Sequence, residues 1–456
     1  MVIVVSLLFG LAMSFIRPPD GAIAVLLVAT VSLPILFIIR NYSEDKKFLT
    51  NIFLIALLAR LSFGLIIQIF DLRMFIAEDS GLYNAVGQRL VEIWQGLMVP
   101  NDNITFRASQ TSGPGWGMHY LVGAIYFICG QSLLVAQSFC AVIGAATAPM
   151  VYFCSRKIYD NRRVAKIAAI GIAVFPSFII WSSQLLKDGL IIFLLVLAMI
   201  MVLQLQEKFN FPAILILLFS LFGIFSLRFY IFYMVAFAVA GSFVIGLSTS
   251  ATSIIRRTMV IALLGLSLTY LGVIRNAGAE LQKYGDLETL QRSRQDLADS
   301  AGSGFGENLD VSTPTGVLVA MPVGLAYLML APFPWQMNNF RQLGTLPEVL
   351  AWWAMIPLMF SGLWYTLKTR LRKAIPVLIF SLMLTMAYSI FQGNVGTAYR
   401  QRTQIQVFLF MFIGVGWTLY LERKENRRNV ELASQRNFER MLREHGQLEG
   451  IPKEEI

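Results

Sequence analysis

An all-α, polytopic membrane fold is the class this sequence predicts, and three observations predict it. Hydrophobic residues make up 56% of the 456 residues and charged residues 14%, with a mean hydropathy of +0.65. Soluble domains hold about 45–50% and about 25% respectively. The excess is gathered into long apolar runs repeated along the chain, many near the ~20 residues a helix needs to cross a ~30 Å hydrocarbon core. Most of these runs are apolar on every face, which a soluble surface helix is not.

In chain order, twelve spans are expected, at 2–16, 21–40, 51–70, 132–153, 164–182, 189–206, 211–227, 231–249, 258–274, 348–367, 374–391 and 403–421. The first lacks a basic leader and a small-residue cleavage site before Arg17-Pro18-Pro19, so it reads as a retained helix rather than a signal peptide. Two further apolar stretches, 116–130 and 316–331, carry Pro or Gly, Trp and polar residues near their ends (Pro114-Gly115-Trp116 and Pro332-Phe333-Pro334-Trp335). That composition suits interfacial or re-entrant helices packed against protein. With both kept from crossing, the basic clusters all fall on one side: Arg40/Lys46/Lys47, Arg156/Lys157/Arg162/Arg163, Lys208, Arg256/Arg257, Lys368/Arg370/Arg372/Lys373 and the tail from Arg423. The positive-inside rule makes that side cytoplasmic, with both termini there, as in a multi-pass protein of the bacterial plasma membrane.

This topology divides the chain into a multi-span domain, 1–421, and a charged helical tail, 422–456, with eight Lys or Arg and eight Glu. It leaves two long outer loops, 71–131 and 275–347. The stretch 298–315 lacks hydrophobic periodicity and is expected to include a mobile loop, with a lid over the site assigned to 285–315.

The net charge of +10 sits at the ends of apolar runs, where membrane topology accounts for it, so no nucleic-acid partner is expected. Cys129, Cys140 and Cys154 are odd in number, lie in apolar stretches and read as small core residues. The sequence has no glycine-rich nucleotide loop, no His-Glu-x-x-His and no Gly-x-Ser-x-Gly. Its two histidines, His119 and His445, argue against a histidine-built metal centre.

Ionisable residues at membrane depth are kept for a reason. Four polar clusters fall on the outer side: Glu78-Asp79-Ser80-Gly81-Leu82-Tyr83, Ser182 to Asp188, Arg228-Phe229-Tyr230, and Asn394 to Arg402. Read singly, Asp79 is a helix cap, Lys187-Asp188 an interfacial pair, and Arg228, Arg400 and Arg402 are side chains snorkelling to lipid phosphates. Read together, they place carboxylates beside arginines. A carboxylate can take the proton of an acceptor hydroxyl, and guanidinium groups can hold a phosphate as it leaves.

From Glu78 to about Leu205 the sequence resembles the GT-C class of membrane glycosyltransferases, family 39-like members in particular. The resemblance lies in Glu78, Asp79 and Tyr83 after an early helix, Pro114 to Leu121, Phe127 to Ser132, Val151 to Tyr159, and Ala169 to Asp188. It implies a GT-C-like helical bundle that uses a polyprenyl-phosphate-linked sugar donor and a glycan or lipid-linked acceptor. By resemblance Asp79 is the base, with Glu78 as second choice, and Asp188 takes the later acidic position that in some members assists or holds a divalent metal ion. No other cofactor is implied. Two extra N-terminal spans, the order Glu-Asp instead of Asp-Glu, and the lack of both an Asp-x-Asp and a large soluble C-terminal domain depart from the family. Tyr83, His119, Lys187, Asp188, Arg228, Tyr399, Arg400 and Arg402 are the expected substrate-binding set. A repeat-unit polymerase of the O-antigen or exopolysaccharide type remains the alternative. A lipid-linked saccharide transporter is disfavoured by the absence of convincing internal halves and by charges that cluster at helix ends rather than mid-span.

Overall fold

The computed structural model describes residues 2–72, 79–97, 115–245, 251–284, 286–299, 303–306, 309–337 and 340–444. Among these residues every regular element is helical except one isolated bridge, Gly304 to Asn394. The helices are α1 (Val2–Ser14), α2 (Asp20–Tyr42), α3 (Lys46–Ile69), α4 (Asp79–Trp94), α5 (Trp116–Cys129), α6 (Leu133–Tyr159), α7 (Arg162–Val174), α8 (Pro176–Ser182) and α9 (Lys187–Glu207). There follow α10 (Phe211–Leu227), α11 (Phe229–Ile245), α12 (Ala251–Tyr270), α13 (Val273–Tyr284), α14 (Leu287–Asp299), α15 (Pro314–Leu330), then, after two single turns, α16 (Leu346–Thr369), α17 (Leu371–Phe391) and α18 (Val395–Glu444).

Among the described residues, seven helices are long and apolar enough to cross a membrane: α2, α3, α6, α9, α16, α17 and α18. The bent pair α7–α8 makes an eighth. The chain is a multi-pass membrane protein. The other expected spans, and the stretches 116–130 and 316–331, form shorter apolar helices of 17 residues or fewer, apart from α12. Helices α6, α9 and the first half of α18 are buried along most of their length, whereas α2 and α16 show large apolar side chains on the outer surface. With no water in a bilayer core, such surfaces are lipid-facing and the centre is held by helix packing.

The basic loops gather at one end of the bundle. Asp45, before α3, accepts hydrogen bonds from Tyr152 and, at 2.8 Å, from Lys166. Glu44 pairs with Arg162, Lys157 with Glu207 at 3.6 Å, and Arg163 with Glu425 at 3.2 Å. Asn161 caps α7, its side chain accepting from Arg163 N at 2.8 Å and Val164 N at 3.2 Å. Nineteen residues of α9 separate Glu207 at this end from Asp188 at the other, about 28 Å of helix, close to the ~30 Å of a hydrocarbon core.

The span expected at 164–182 is broken by Pro176 into α7 and α8, bent by 53°. The break frees carbonyl groups that lipid cannot satisfy. Arg60, in the middle of α3 and 1% exposed, satisfies them: its guanidinium donates to Ile172 O at 3.2 Å, Ala173 O at 3.3 Å, Ala56 O at 3.0 Å and Ser182 Oγ at 2.7 Å. The approach of α8 to its neighbours requires glycine, since a Cβ on Gly144 or Gly189 would lie 2.3 or 2.6 Å from Ser182 Cβ.

The described parts of 298–315 are hydrogen-bonded to α14 and to the turn between α17 and α18. Phe305 N donates to Gly393 O at 2.8 Å, Val395 N to Ser303 O at 3.0 Å, and Arg294 Nη1 to Gly306 O at 2.8 Å and Leu309 O at 2.9 Å. Phe305 stacks on Tyr327 with ring centroids 4.1 Å apart. Helix α18 runs unbroken through 421–422, and its residues beyond Glu422 are exposed apart from a few partly covered ones. Cys140 and Cys154 are buried and Cys129 half-buried, all as free thiols.

Candidate active site

Opposite the basic end, four segments distant in sequence meet around Asp188, the second residue of α9. Its carboxylate is 0% exposed. Oδ2 lies 2.7 Å from Arg400 Nε and 2.6 Å from Arg400 Nη2, and Oδ1 lies 3.5 Å from both Arg228 Nη2 and Gln404 Nε2. Arg400 and Gln404 are one turn apart on α18, so one face of that helix presents both donors. Arg228 comes from the break between α10 and α11.

Arg400 then reaches outward. Its Nη1 donates to Asp79 Oδ2 at 2.7 Å, and its guanidinium lies over the Trp181 ring, 5.7 Å from the centroid. Side-chain exposure rises from 0% at Asp188 to 17% at Arg400 and 53% at Asp79, so the cluster opens at Asp79 and closes at Asp188. Asp79 stands in the first turn of α4, where a carboxylate is favoured by the helix dipole. Tyr83, one turn on, is buried beneath it and packs its ring 5.6 Å from His119 of α5. Burial, and then the Asp79 charge, pushes the Tyr83 phenol above its ordinary pKa.

Lys187 lies beside this cluster: its Nζ is 3.0 Å from where a Cβ on Gly115 would stand, and the Leu227 carbonyl is 3.6 Å from the same point. Gly115 has φ +83°, a conformation glycine adopts freely. Among the described residues no carboxylate lies within 4 Å of Lys187 Nζ, and Arg228 Nη1 is buried with no hydrogen-bond partner. Among the described residues, three cations (Lys187, Arg228, Arg400) therefore face two carboxylates (Asp79, Asp188). The surplus positive charge, with a buried donor unmatched, suits an anion. The carboxylate best placed to receive a proton from outside is Asp79, engaged through Oδ2 alone among the described residues.

The expected residues separate into three groups. Asp79, Lys187, Asp188, Arg228 and Arg400 come together; Tyr83 and His119 line the floor under Asp79. Tyr399 and Arg402 do not join this constellation. They leave α18 on its other side: Tyr399 Oη donates to Glu348 Oε2 at 2.6 Å, and Arg402 Nη1 donates to Met329 O at 3.1 Å and Ala331 O at 2.9 Å. Glu78 lies outside the described residues. Snorkelling does not describe the arginines, since Arg228 and Arg402 are 7% and 0% exposed. The site and its surroundings also include Tyr230, named above only within the Arg228 cluster, and Trp181, Gln404, Tyr388, Glu348 and Arg60, none of which the sequence singled out. Among the described residues no three of His, Cys, Asp and Glu converge, and both oxygens of Asp188 face guanidinium or amide nitrogens.

No family model matches the chain, and no curated protein matches it. Among solved structures it is similar to the crystal structure of ArnT from Cupriavidus metallidurans bound to undecaprenyl phosphate, at 13% identity and a TM-score of 0.48, over 78% of this chain and 59% of that one. It is also similar to the crystal structure of the Archaeoglobus fulgidus oligosaccharyltransferase in complex with Zn and sulfate, at 16% identity and a TM-score of 0.40, over 71% of this chain and 42% of that one. The chain thus spans about three fifths and two fifths of the two structures it is similar to. Both have the GT-C fold.

Proposed function

We propose that the protein is a membrane glycosyltransferase that moves a sugar from a polyprenyl-phosphate donor to a glycan or lipid-linked acceptor. The observation that carries this reading is the Asp79–Arg400–Asp188–Arg228 chain of ion pairs, with Lys187 beside it and a buried Arg228 nitrogen unmatched. A lipid phosphate bound to Lys187 and Arg228 would supply the missing negative charge, with its prenyl chain in the bilayer against the apolar helices. The acceptor hydroxyl, hydrogen-bonded to Asp79, attacks the anomeric carbon. The bond from that carbon to the phosphate oxygen breaks, the phosphate keeps the electron pair, and the hydroxyl proton passes to Asp79. Lys187 and Arg228 stabilise the charge that grows on the leaving phosphate, while Arg400 holds the Asp79 carboxylate in position.

The reaction is assigned to the outer face of a bacterial plasma membrane. Supporting this, the site lies a hydrocarbon thickness from the basic end, which the positive-inside rule makes cytoplasmic. The test is transfer from synthetic polyprenyl-phosphate sugars in proteoliposomes with wild-type and Asp79→Asn protein. The wild type transfers sugar and Asp79→Asn does not; equal rates from the two sink the reading. Product analysis separates a single added sugar from the ladder that a repeat-unit polymerase makes.

A further inference from the structure

Helix α18 carries a second buried carboxylate contact directly behind the site. Glu348, in the first turn of α16 and 4% exposed, accepts from Tyr399 Oη at 2.6 Å and from Ser177 Oγ of α8. Arg402 lies over the Tyr399 ring at 5.0 Å and the Trp352 ring at 5.7 Å, and acts on Glu348 electrostatically. At about 100° per residue, Tyr399 and Arg402 leave the helix roughly opposite to Arg400 and Gln404. The helix is therefore held by two carboxylates on opposite sides, Asp188 of α9 and Glu348 of α16. Trp181 of α8 joins the two sides: Arg400 lies over its face and the Tyr399 ring meets it edge-on at 6.4 Å.

We propose that Glu348 is the positioning residue for Arg400, fixing the rotation and height of α18 through Tyr399 and fixing Trp181 through Ser177. The assignment deepens the proposed transfer reaction and rests on it. Tyr399 and Arg400 are adjacent, so a slip at the one is passed rigidly to the other. Reacting groups tolerate about 0.5 Å of displacement, and 1 Å costs on the order of 100-fold in rate. Lys187 and Arg228 stand on other segments, so donor binding does not depend on Glu348.

The test compares Glu348→Leu, Glu348→Gln and Tyr399→Phe in two readouts. In the transfer assay, Glu348→Leu and Tyr399→Phe are expected to lower kcat about 10- to 100-fold with the donor KM unchanged. Glu348→Gln, which still accepts from one hydroxyl and keeps the shape, recovers most of kcat. The second readout needs no activity: cysteines at 79 and 400, in a background without Cys129, Cys140 and Cys154, are joined by a short bismaleimide. Cross-linking slows in Glu348→Leu and Tyr399→Phe and recovers in Glu348→Gln. Should Glu348→Leu fail to fold, Tyr399→Phe, which removes one hydroxyl, decides alone. Unchanged kcat and unchanged cross-linking overturn the assignment, as does a loss confined to donor KM. A wild-type protein that transfers no sugar, with cross-linking still governed by residue 348, refutes the transferase reading and leaves the positioning of Arg400 standing.

Discussion

Asp79 and Asp188 share one arginine, yet their replacement by Asn should have opposite balances of effect on stability and activity. Asp188 is fully buried and meets nitrogens at 2.6, 2.7 and 3.5 Å on two arginines. In Asp188→Asn one oxygen becomes an amide donor facing guanidinium or Gln404. Breaking a buried pair by removing one partner costs about 3–5 kcal/mol; because Arg400 keeps Asp79, about 3 kcal/mol is expected here. Asp79 is 53% exposed with one 2.7 Å contact, and an exposed pair contributes about 0.2–1 kcal/mol. The gap of about 2 kcal/mol is about 30-fold in the folded-to-unfolded ratio. Reversible unfolding in mixed micelles, set beside transfer in proteoliposomes, measures both quantities. Asp79→Asn should unfold within about 1 kcal/mol of wild type yet lose on the order of 10²–10⁴ in rate. Asp188→Asn should lose both stability and activity. Equal stability of Asp188→Asn and wild type would refute the buried ion-pair chain, and stability lost equally in both variants would refute the gradient from closed to open.

Lys187→Met should raise the donor KM more than tenfold (more than ~1.4 kcal/mol of binding) with the fold retained, whereas loss confined to kcat would remove Lys187 from phosphate binding. Arg60→Met leaves the Ile172 and Ala173 carbonyls unmatched inside the bundle, at about 1–3 kcal/mol for each buried group; an unfolding midpoint equal to wild type would refute the capping role. At the basic end, the Lys166 ammonium and then the Tyr152 hydroxyl hold the Asp45 carboxyl below its ordinary pKa of 3.8. A carboxyl depressed in the folded state contributes its stability above the unfolded pKa and loses it as pH falls through the folded one. Protease cleavage near 44–45 should therefore rise only below about pH 4, and a rise between pH 5 and 7 would contradict it. Chelation should leave transfer intact, because Asp188 is neutralised by Arg400 and Arg228; loss restored by a divalent ion would overturn that.

Asp79, Asp188, Arg228 and Arg400 were legible because ionisable residues at the ends of apolar runs are rare, and counting hairpins brings alternate ends to one side. That Tyr399 and Arg402 face away from Asp188 is not legible, because the start of α18 is buried on both faces. Without an amphipathic stripe, the sequence gives no phase to say which of two adjacent residues looks into the site. Glu348 was hidden for another reason: an acid in the first turn of a span reads as an ordinary partner of the helix dipole. Arg60 did carry a signal, a lone arginine inside the run 51–70, and the cost of burying such a charge was reason enough to ask for its partner. That partner is a broken helix end, not a carboxylate, and no spacing rule would have found it.

The broken helix explains why so few groups suffice to build the site. Pro176 turns α8 away from α7, and each end of α8 is held by a side chain from another span: Ser177 by Glu348 and Ser182 by Arg60. Between those fixings α8 offers Trp181 to Arg400, and directly after them the chain delivers Lys187 and Asp188. A straight span through 164–187 would carry its C-terminal end past α18 and leave Arg400 without a surface to lie on. The Pro176 bend therefore costs backbone hydrogen bonds, which Arg60 restores, and in return sets cation, carboxylate and aromatic face together at one end of the bundle. Straightening the bend with Pro176→Ala should uncouple Trp181 from Arg400. Stronger quenching of Trp181, as the sole tryptophan, by a water-borne quencher would register it; unchanged quenching would mean that packing around Gly144 and Gly189, not the proline, holds the bend.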